Sequence, residues 1–286
     1  MLLFNPFDLG TWLVVGFCAW LAQLGRVAGG GGTGFNFGGH RGLSPQAIFS
    51  EARDYILNNL TWIVPLASVV LLIGLVIWLA LTWVSSRGQF MLLHDVATRR
   101  AEVAVPWTRY GPHSDSLFVF RVVLGLIGLG LMLPILVAIV WMLGQLFAPE
   151  AGAPLPIIGL ILVGFAGMLV AMLLAIVRKL TLDFVVPIMF LNTARCVEAW
   201  GTFWALLTHN LGHFLLYLLF SIVLAAALSL LVLAALLVTC CCLGCLLILP
   251  YVGTVVLLPI SIFKRSYSLE YLAQFGPKFH VFGFPA

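Results

Sequence analysis

The chain has 286 residues, of which 63% are hydrophobic and 8% are charged, and its mean hydropathy is +1.15. A soluble domain carries about 25% charged residues, so this chain has too few of them to coat a water-facing surface. The net charge of +4 is less informative than the distribution of charge along the chain, and no polybasic surface for nucleic acid is present in the sequence. Composition therefore predicts a single membrane domain over residues 1–286, with the lipid bilayer as its partner and no nucleic acid.

The chain begins with a short uncharged apolar segment at 9–25, followed by a glycine-rich loop at 28–42. At 1.5 Å per residue the segment reaches about 25 Å, slightly less than the ~30 Å hydrocarbon core. We expect it to span the membrane, and a re-entrant helix is the alternative. Ser44 and Pro45 then start an interfacial amphipathic helix that leads into the next span, with serine as N-cap and proline at the first helical position.

Further apolar stretches have the length of transmembrane helices, which need about 20 apolar residues each. They lie at 61–84, 117–147, 155–177, 214–238 and 245–263, joined by connectors at 85–116 and 178–213 and followed by a tail at 264–286. Trp62 and Trp83 bracket the first of these stretches, as expected of amphipathic rings at headgroup level. The sequence predicts an all-α integral membrane helix bundle of about six transmembrane helices.

Positive charge is distributed unequally between the two sides of the predicted bundle. Of the 14 lysines and arginines, only Arg26, Arg41 and Arg53 lie opposite the two connectors and the tail. The positive-inside rule then places the connectors and both termini in the cytoplasm. We expect the protein to be integral to the bacterial inner membrane.

No acidic, basic or histidine residue lies in the middle of any predicted span. A charge at the bilayer centre costs about 2.5–3.5 kcal/mol on insertion scales and is retained where a proton, ion or voltage mechanism needs it. This pattern argues against a proton-coupled carrier, a pump and a voltage sensor.

Two of the predicted spans carry small residues at four-residue spacing, which lets helix backbones approach closely in lipid. The two sets are Gly167, Ala171 and Ala175, and Ser221, Ala225 and Ser229. We expect both faces to be buried between helices.

Four cysteines, Cys240, Cys241, Cys242 and Cys245, cluster at a predicted turn. Cys242 and Cys245 form a C-x-x-C pair, whose thiolates can bind a metal or form a redox disulfide. No second pair or histidine lies near in sequence to complete a ligand set, so we predict neither a metal nor a cofactor. The favoured interpretation is tight packing at a hairpin, with a disulfide between Cys242 and Cys245 as the alternative.

His209 and His213 lie four residues apart, the spacing at which two imidazoles on one helix share a metal. Glu198 is about three turns away, and Gly201 and Gly212 disfavour a continuous helix. We therefore interpret the two histidines as interfacial residues without a metal.

Charged residues gather where the predicted spans meet the cytoplasm. Lys179 and Asp183 form an i,i+4 pair, and Pro187 predicts a break in the helix. Basic side chains at such a surface attract lipid phosphates. The candidate residues for binding lipid headgroups are Arg178, Lys179, Arg195, Lys264 and Arg265.

Scattered short segments carry a family resemblance. They are Asn5-Pro6-Phe7-Asp8, Arg87-Gly88-Gln89-Phe90, the step from Asp183 to Pro187, Leu249-Pro250-Tyr251, Pro259 and Arg265-Ser266-Tyr267-Ser268-Leu269. With these the chain resembles an uncharacterised family of bacterial polytopic membrane proteins akin to the membrane domain of some glycerophosphodiester phosphodiesterases. The resemblance implies a six-helix bundle, supplies no catalytic residues and includes no soluble phosphodiesterase domain.

Three functional hypotheses remain open. Charge-free spans and small-residue faces favour a non-enzymatic scaffold or accessory subunit that binds other membrane protein subunits or a second copy of itself. A basic cytoplasmic rim favours, as the alternative, a protein that handles or transports lipids or apolar solutes. A metal or redox enzyme at the cysteines or histidines is the remote third hypothesis.

Overall fold

The structure is a computed structural model that describes residues 9–27, 58–98, 103–146, 155–239 and 250–279. Over these residues it contains helices and no strand, which confirms the predicted all-α class. The helices are α1 (Leu9–Val27), α2 (Leu60–Thr98), α3 (Ala104–Arg109), α4 (Gly111–Leu146), α5 (Leu155–Leu180), a π-helix (Thr181–Val185), α6 (Val186–Asn192), α7 (Cys196–His209), α8 (Leu211–Val238), α9 (Pro250–Val256), α10 (Leu258–Ala273) and a 3-10 turn (Pro277–Phe279).

Four helical stretches are long and apolar enough to cross a membrane: Leu60–Thr98, Gly111–Gln145, Ile157–Asn192 and Leu211–Val238. Gly10–Leu24 is a shorter apolar helix. The described part of the predicted span at 245–263 is divided at Leu257 between α9 and α10. Pro259 accounts for the division, because it has no N–H and fits only the first turn of a helix. The count of six spans stays a prediction.

The described residues divide into two compact units, and three of the long helices contribute to both. The second unit comprises α2 up to Ala80, α4 from Arg121 and α5 up to Arg178. Its helices approach one another at glycines. A methyl group added at Gly125 would lie 2.9 Å from the Trp78 ring, and one added at Gly167 would lie 3.0 Å from Ile135 Cγ2. Large apolar side chains cover the rest of this unit's surface, as lipid contact requires.

The first unit contains α1, α2 from Leu81, α3, α4 up to Phe120, and the described residues from Lys179 onward. Its core is aromatic: Phe184 stacks on Phe203 at 5.5 Å and meets Phe214 edge to face at 5.1 Å. Helix α2 continues into the predicted connector at 85–116 as far as Thr98, and its Phe90 is fully buried. The segments predicted as connectors thus supply much of this unit's packed interior.

The helical stretch Ile157–Asn192 does not break at Pro187, contrary to the sequence-based expectation. It passes from α5 through the π-helix into α6 and ends at Thr193, which has the left-handed φ of 47°. In an α-helix the proline ring clashes with the carbonyl of residue i−4. Here the register widens before the proline, because the Val186 N–H donates to the Thr181 carbonyl five residues earlier.

Candidate functional site

An open cleft of about 500 Å³ lies within the first unit. It is walled by α1, the C-terminal part of α2, the turn around the π-helix, α8 and α10. Its polar lining residues are Gln23, Gln89, Lys179, Asp183, Tyr217, Ser221, Ser229, Ser261, Lys264, Arg265 and Tyr267, and its apolar ones are Ala19, Ala22, Leu92, Leu182, Leu224, Ala225, Leu228, Val232, Leu257 and Ile260.

Helix α8 contributes one continuous stripe to the cleft. The stripe consists of Tyr217, Ser221, Leu224, Ala225, Leu228, Ser229 and Val232. Spacings of three and four residues keep all of these on one helix face. At 1.5 Å per residue the stripe from Tyr217 to Val232 is about 22 Å long. It changes from phenol and hydroxyl groups at its start to mainly aliphatic groups at its end.

Three of the four charged side chains of the cleft, those of Lys179, Asp183 and Arg265, lie close to Tyr217, and Lys264 precedes Arg265 in α10. Lys179 and Asp183 come from the end of α5 and the π-helix, and Lys264 and Arg265 from α10. Among the side chains that line the cleft, basic groups thus outnumber carboxylates by three to one. The charged end therefore has an electrostatic preference for anions.

Asp183 organises the charged end. Its Oδ2 accepts a 2.8 Å hydrogen bond from Lys179 Nζ and a 3.1 Å hydrogen bond from the Tyr217 phenol. The Tyr217 ring stacks on Tyr267 with centroids 5.5 Å apart. Burial raises the pKa of Tyr267, so its phenol is a neutral hydrogen-bonding group at neutral pH. Through its hydrogen bond from Tyr217, the Asp183 carboxylate joins the π-helix to α8.

Arg265 joins α10 to the π-helix by a hydrogen bond to the Leu182 carbonyl. Pro187 leaves that carbonyl without a backbone donor. In the π register the Leu182 carbonyl would accept from the N–H of residue 187, but proline has none. Arg265 is buried, and its Nη1 donates to that Leu182 carbonyl. A guanidinium donor thus replaces the missing backbone donor, as a buried carbonyl requires.

Amide side chains hold the far wall of the cleft together. Gln89 Nε2 donates to the Ala22 carbonyl at 2.9 Å, and Gln23 Nε2 donates to Ser261 Oγ at 3.3 Å. At Gly88 the backbones of α1 and α2 touch: a Cβ there would lie 2.5 Å from the Ala22 nitrogen. These contacts align α1 with both α2 and α10.

A second polar cluster in the first unit lies among residues that do not line the cleft. The Arg87 guanidinium lies 4.4 Å from the Trp83 ring and 5.0 Å from the Trp107 ring, and its Nη2 is 3.5 Å from Asp115 Oδ1. Trp83 Nε1 donates to the same carboxylate oxygen at 3.2 Å. Because the Arg87 guanidinium packs against both rings and pairs with Asp115, this cluster has a structural role in joining α2, α3 and α4.

The two small-residue faces lie in different surroundings. Ser221, Ala225 and Ser229 line the cleft. Gly167 is close to Ile135, whereas Ala171 and Ala175 are exposed. Burial of either complete face between helices stays a prediction.

The predicted headgroup residues separate into two groups. Lys179, Lys264 and Arg265 line the cleft. Arg178 is exposed outside it, and Arg195 is exposed at the start of α7, where its backbone N–H donates to Glu198 Oε2 at 3.3 Å. Glu198 thus caps a helix.

The remaining candidates carry no site in the described residues. Cys240, Cys241, Cys242 and Cys245 lie outside them. His209 ends α7 and His213 belongs to α8, so the two do not share a helical turn. Across the described ranges no group of three His, Cys, Asp or Glu side chains could hold a metal ion.

Sequence reasoning missed Gln23, Gln89, Tyr217 and Tyr267 as lining residues of the cleft. One signal could have indicated part of the site. Tyr217, Ser221, Ala225 and Ser229 form a polar-to-small series at four-residue spacing, which suits a cavity wall as well as a helix contact.

Comparison with known proteins gives one match. The model of a family described as "Family of unknown function (DUF7544)" matches residues 1–250. No curated protein and no solved structure matches the chain.

Proposed function

The chain belongs to the DUF7544 family of unknown function, and from the geometry of its cleft we propose that it is a non-enzymatic membrane protein that binds lipid. The observation that carries this proposal is the aliphatic half of the α8 stripe, which faces a cleft of about 500 Å³. That volume is typical of ligand pockets, which range from roughly 300 to 1,000 Å³. An acyl chain is the ligand that such an uncharged, elongated wall suits best.

Filling the cleft tests this function. Ala225→Trp places an indole against the lining, whereas Ala227→Trp makes the same change on an exposed face of the same helix outside the lining. We expect protein purified in mild detergent to retain lipid, measured by native mass spectrometry and by extraction. Ala225→Trp should remove most of that lipid and Ala227→Trp should not. Equal lipid content in the two variants would contradict the proposal.

A scaffold or accessory-subunit role is the second candidate. It is supported by Ala171 and Ala175, small residues at four-residue spacing that are exposed on α5. A partner helix from another membrane protein, or from a second copy of the chain, could pack there. Co-purification of a subunit in fixed stoichiometry, lost in Ala171→Leu, would support this role. A monomer without partners would count against it.

For the membrane topology we propose six spans, formed by the four long helices, α1 and the segment at 245–263. Both termini lie in the cytoplasm of a bacterial cell with the protein in its inner membrane. Support comes from the excess of basic residues beside the connectors and the tail. Reporter fusions to the two termini test the topology, which requires a cytoplasmic signal from both.

We further propose a kinship with the membrane domain of glycerophosphodiester phosphodiesterases. Support comes from the segment 87–90 and the step from Asp183 to Pro187, both of which lie in the first unit. An experimental structure of such a membrane domain tests the kinship. It should contain a π-turn before a proline and an arginine that donates to the freed carbonyl.

A further inference from the structure

The polarity of the cleft changes along its length, and this change identifies the kind of lipid that it suits. Lys179, Asp183 and Arg265 lie close to Tyr217, and from Leu224 onward the lining on α8 is aliphatic apart from Ser229. From Ser221 to Val232 the stripe rises about 16 Å, close to half of the ~30 Å hydrocarbon core. A molecule that matches both ends has a polar head and a chain that reaches through one leaflet.

The side chains at the charged end of the cleft favour a ligand that carries negative charge. Asp183 accepts hydrogen bonds from Lys179 and Tyr217, so its negative charge is already compensated within the protein. Lys264 and Arg265 add two further basic side chains to the lining of this end. Lys264 is exposed, so a ligand can approach its ammonium from the open side of the cleft.

Neutral donors stand beside these cations. Tyr267 comes from the same helix as Lys264. Gln23 and Gln89 each use one amide N–H within the protein, towards Ser261 and Ala22, and each has a second N–H. Hydroxyl and amide groups next to ammonium and guanidinium groups are the set that binds the oxygens of phosphates and carboxylates.

We propose that the cleft selects an amphiphile with an anionic head, a phosphate or a carboxylate, and seats that head beside Lys264. This inference rests on the proposed lipid-binding function. It adds the head-group chemistry, which the acyl-chain argument alone does not specify. The cleft is then a site for anionic lipid rather than for lipid in general.

Head-group competition tests the inference. Delipidated full-length protein is titrated with phosphatidylglycerol, phosphatidylcholine or oleate in neutral detergent, and binding is followed by native mass spectrometry. We expect at least one anionic ligand to bind about 25-fold more tightly than phosphatidylcholine, because Lys264 and Arg265 should contribute about fivefold each. Preference for phosphatidylglycerol would identify a phosphate head, and preference for oleate a carboxylate head. Salt should weaken only the anionic binding.

Charge-removing variants locate the head. Lys264→Gln should weaken binding of the anionic ligand about fivefold and leave phosphatidylcholine unchanged. The control is Lys278→Gln, an exposed lysine outside the lining, which should change neither.

The two proposals fail in different ways. Equal affinity for anionic and zwitterionic lipids, with Ala225→Trp still blocking both, would overturn the anionic inference and leave lipid binding intact. Binding of none of the three ligands would overturn both proposals. An equal effect of the Lys264 and Lys278 substitutions would contradict placement of the head beside Lys264.

Discussion

The Tyr217 phenol donates a 3.1 Å hydrogen bond to the Asp183 carboxylate, from a position 34 residues later in the chain. The same carboxylate oxygen accepts from Lys179, so it receives two hydrogen bonds from two helices. This arrangement fixes the start of α8 against the end of α5, and thereby sets the width of the cleft at its charged end.

Removing the phenol should destabilise this contact without removing the ring. In Tyr217→Phe the stack on Tyr267 remains and one hydrogen bond to a charged group is lost, which we expect to cost about 1.5–3 kcal/mol. Thermal unfolding in detergent measures the change. Tyr251→Phe is the control, because that phenol donates to a neutral carbonyl of Leu13 and its loss should cost about 1 kcal/mol. An equal effect of the two changes would contradict a special role for the carboxylate.

Arg265 and Pro187 should be coupled through the Leu182 carbonyl. Arg265→Met leaves that buried carbonyl without its guanidinium donor, and we expect it to lower stability by about 1–3 kcal/mol. Pro187→Ala supplies a backbone N–H at the position where the π register lacks one. The double variant should therefore be more stable than Arg265→Met alone. Additive effects in this double-mutant cycle would show that the two residues do not share the carbonyl.

Gly88 should tolerate no side chain. A Cβ at this position would lie 2.5 Å from the Ala22 backbone nitrogen, and a backbone cannot rotate away as a side chain can. We expect Gly88→Ala to separate α1 from α2, with a lower melting temperature and loss of lipid binding. Gly74→Ala on the same helix meets open space, and should be neutral or stabilising by up to about 1 kcal/mol. Wild-type stability in Gly88→Ala would contradict the close helix contact.

The cluster around Arg87 should require a guanidinium and not only a positive charge. Arg87→Lys keeps the charge but loses the planar group that lies against Trp83 and Trp107. We expect a loss of about 1 kcal/mol and a change in tryptophan fluorescence. Arg109→Lys is the control, since Arg109 is exposed and lies 5.9 Å from a single ring, that of Tyr110. Its effect should be close to zero.

Cys196 should be unreactive in the folded protein. Its side chain is fully buried, and burial raises the pKa of its thiol from an ordinary value of 9.0 to about 12. At about pH 8 a maleimide should label Cys196 only after unfolding, as peptide mass spectrometry would show.

The same shift sets the direction of an alkaline effect on stability. Because the folded-state pKa of Cys196 is the higher one, its contribution is complete below pH 9.0 and declines as the pH rises from 9.0 towards about 12. Between about pH 9 and 10 the melting temperature of wild type should fall more steeply than that of Cys196→Ala. Parallel curves, or rapid labelling of the folded protein, would contradict this environment for the thiol.

The sequence allowed the helical class and the long apolar helices to be predicted, because hydropathy and length are local properties. The Lys179–Asp183 pair was also predictable, since residues four apart on a helix are neighbours. The break at Pro187 was predicted wrongly. A proline removes an N–H in any context, but only a distant residue such as Arg265 determines whether the freed carbonyl can be satisfied inside the bundle.

By itself the sequence determined that this is an all-helical protein with long helices suited to a lipid environment, because burial of apolar surface and backbone hydrogen bonding leave few other solutions. The tertiary structure alone decided which side chains share the cleft. Gln23, Gln89 and Tyr217 are far apart in the chain, and each is unremarkable in its local sequence. They meet because Gly88 lets two helix backbones touch and because the turn before Pro187 directs Asp183 towards Tyr217.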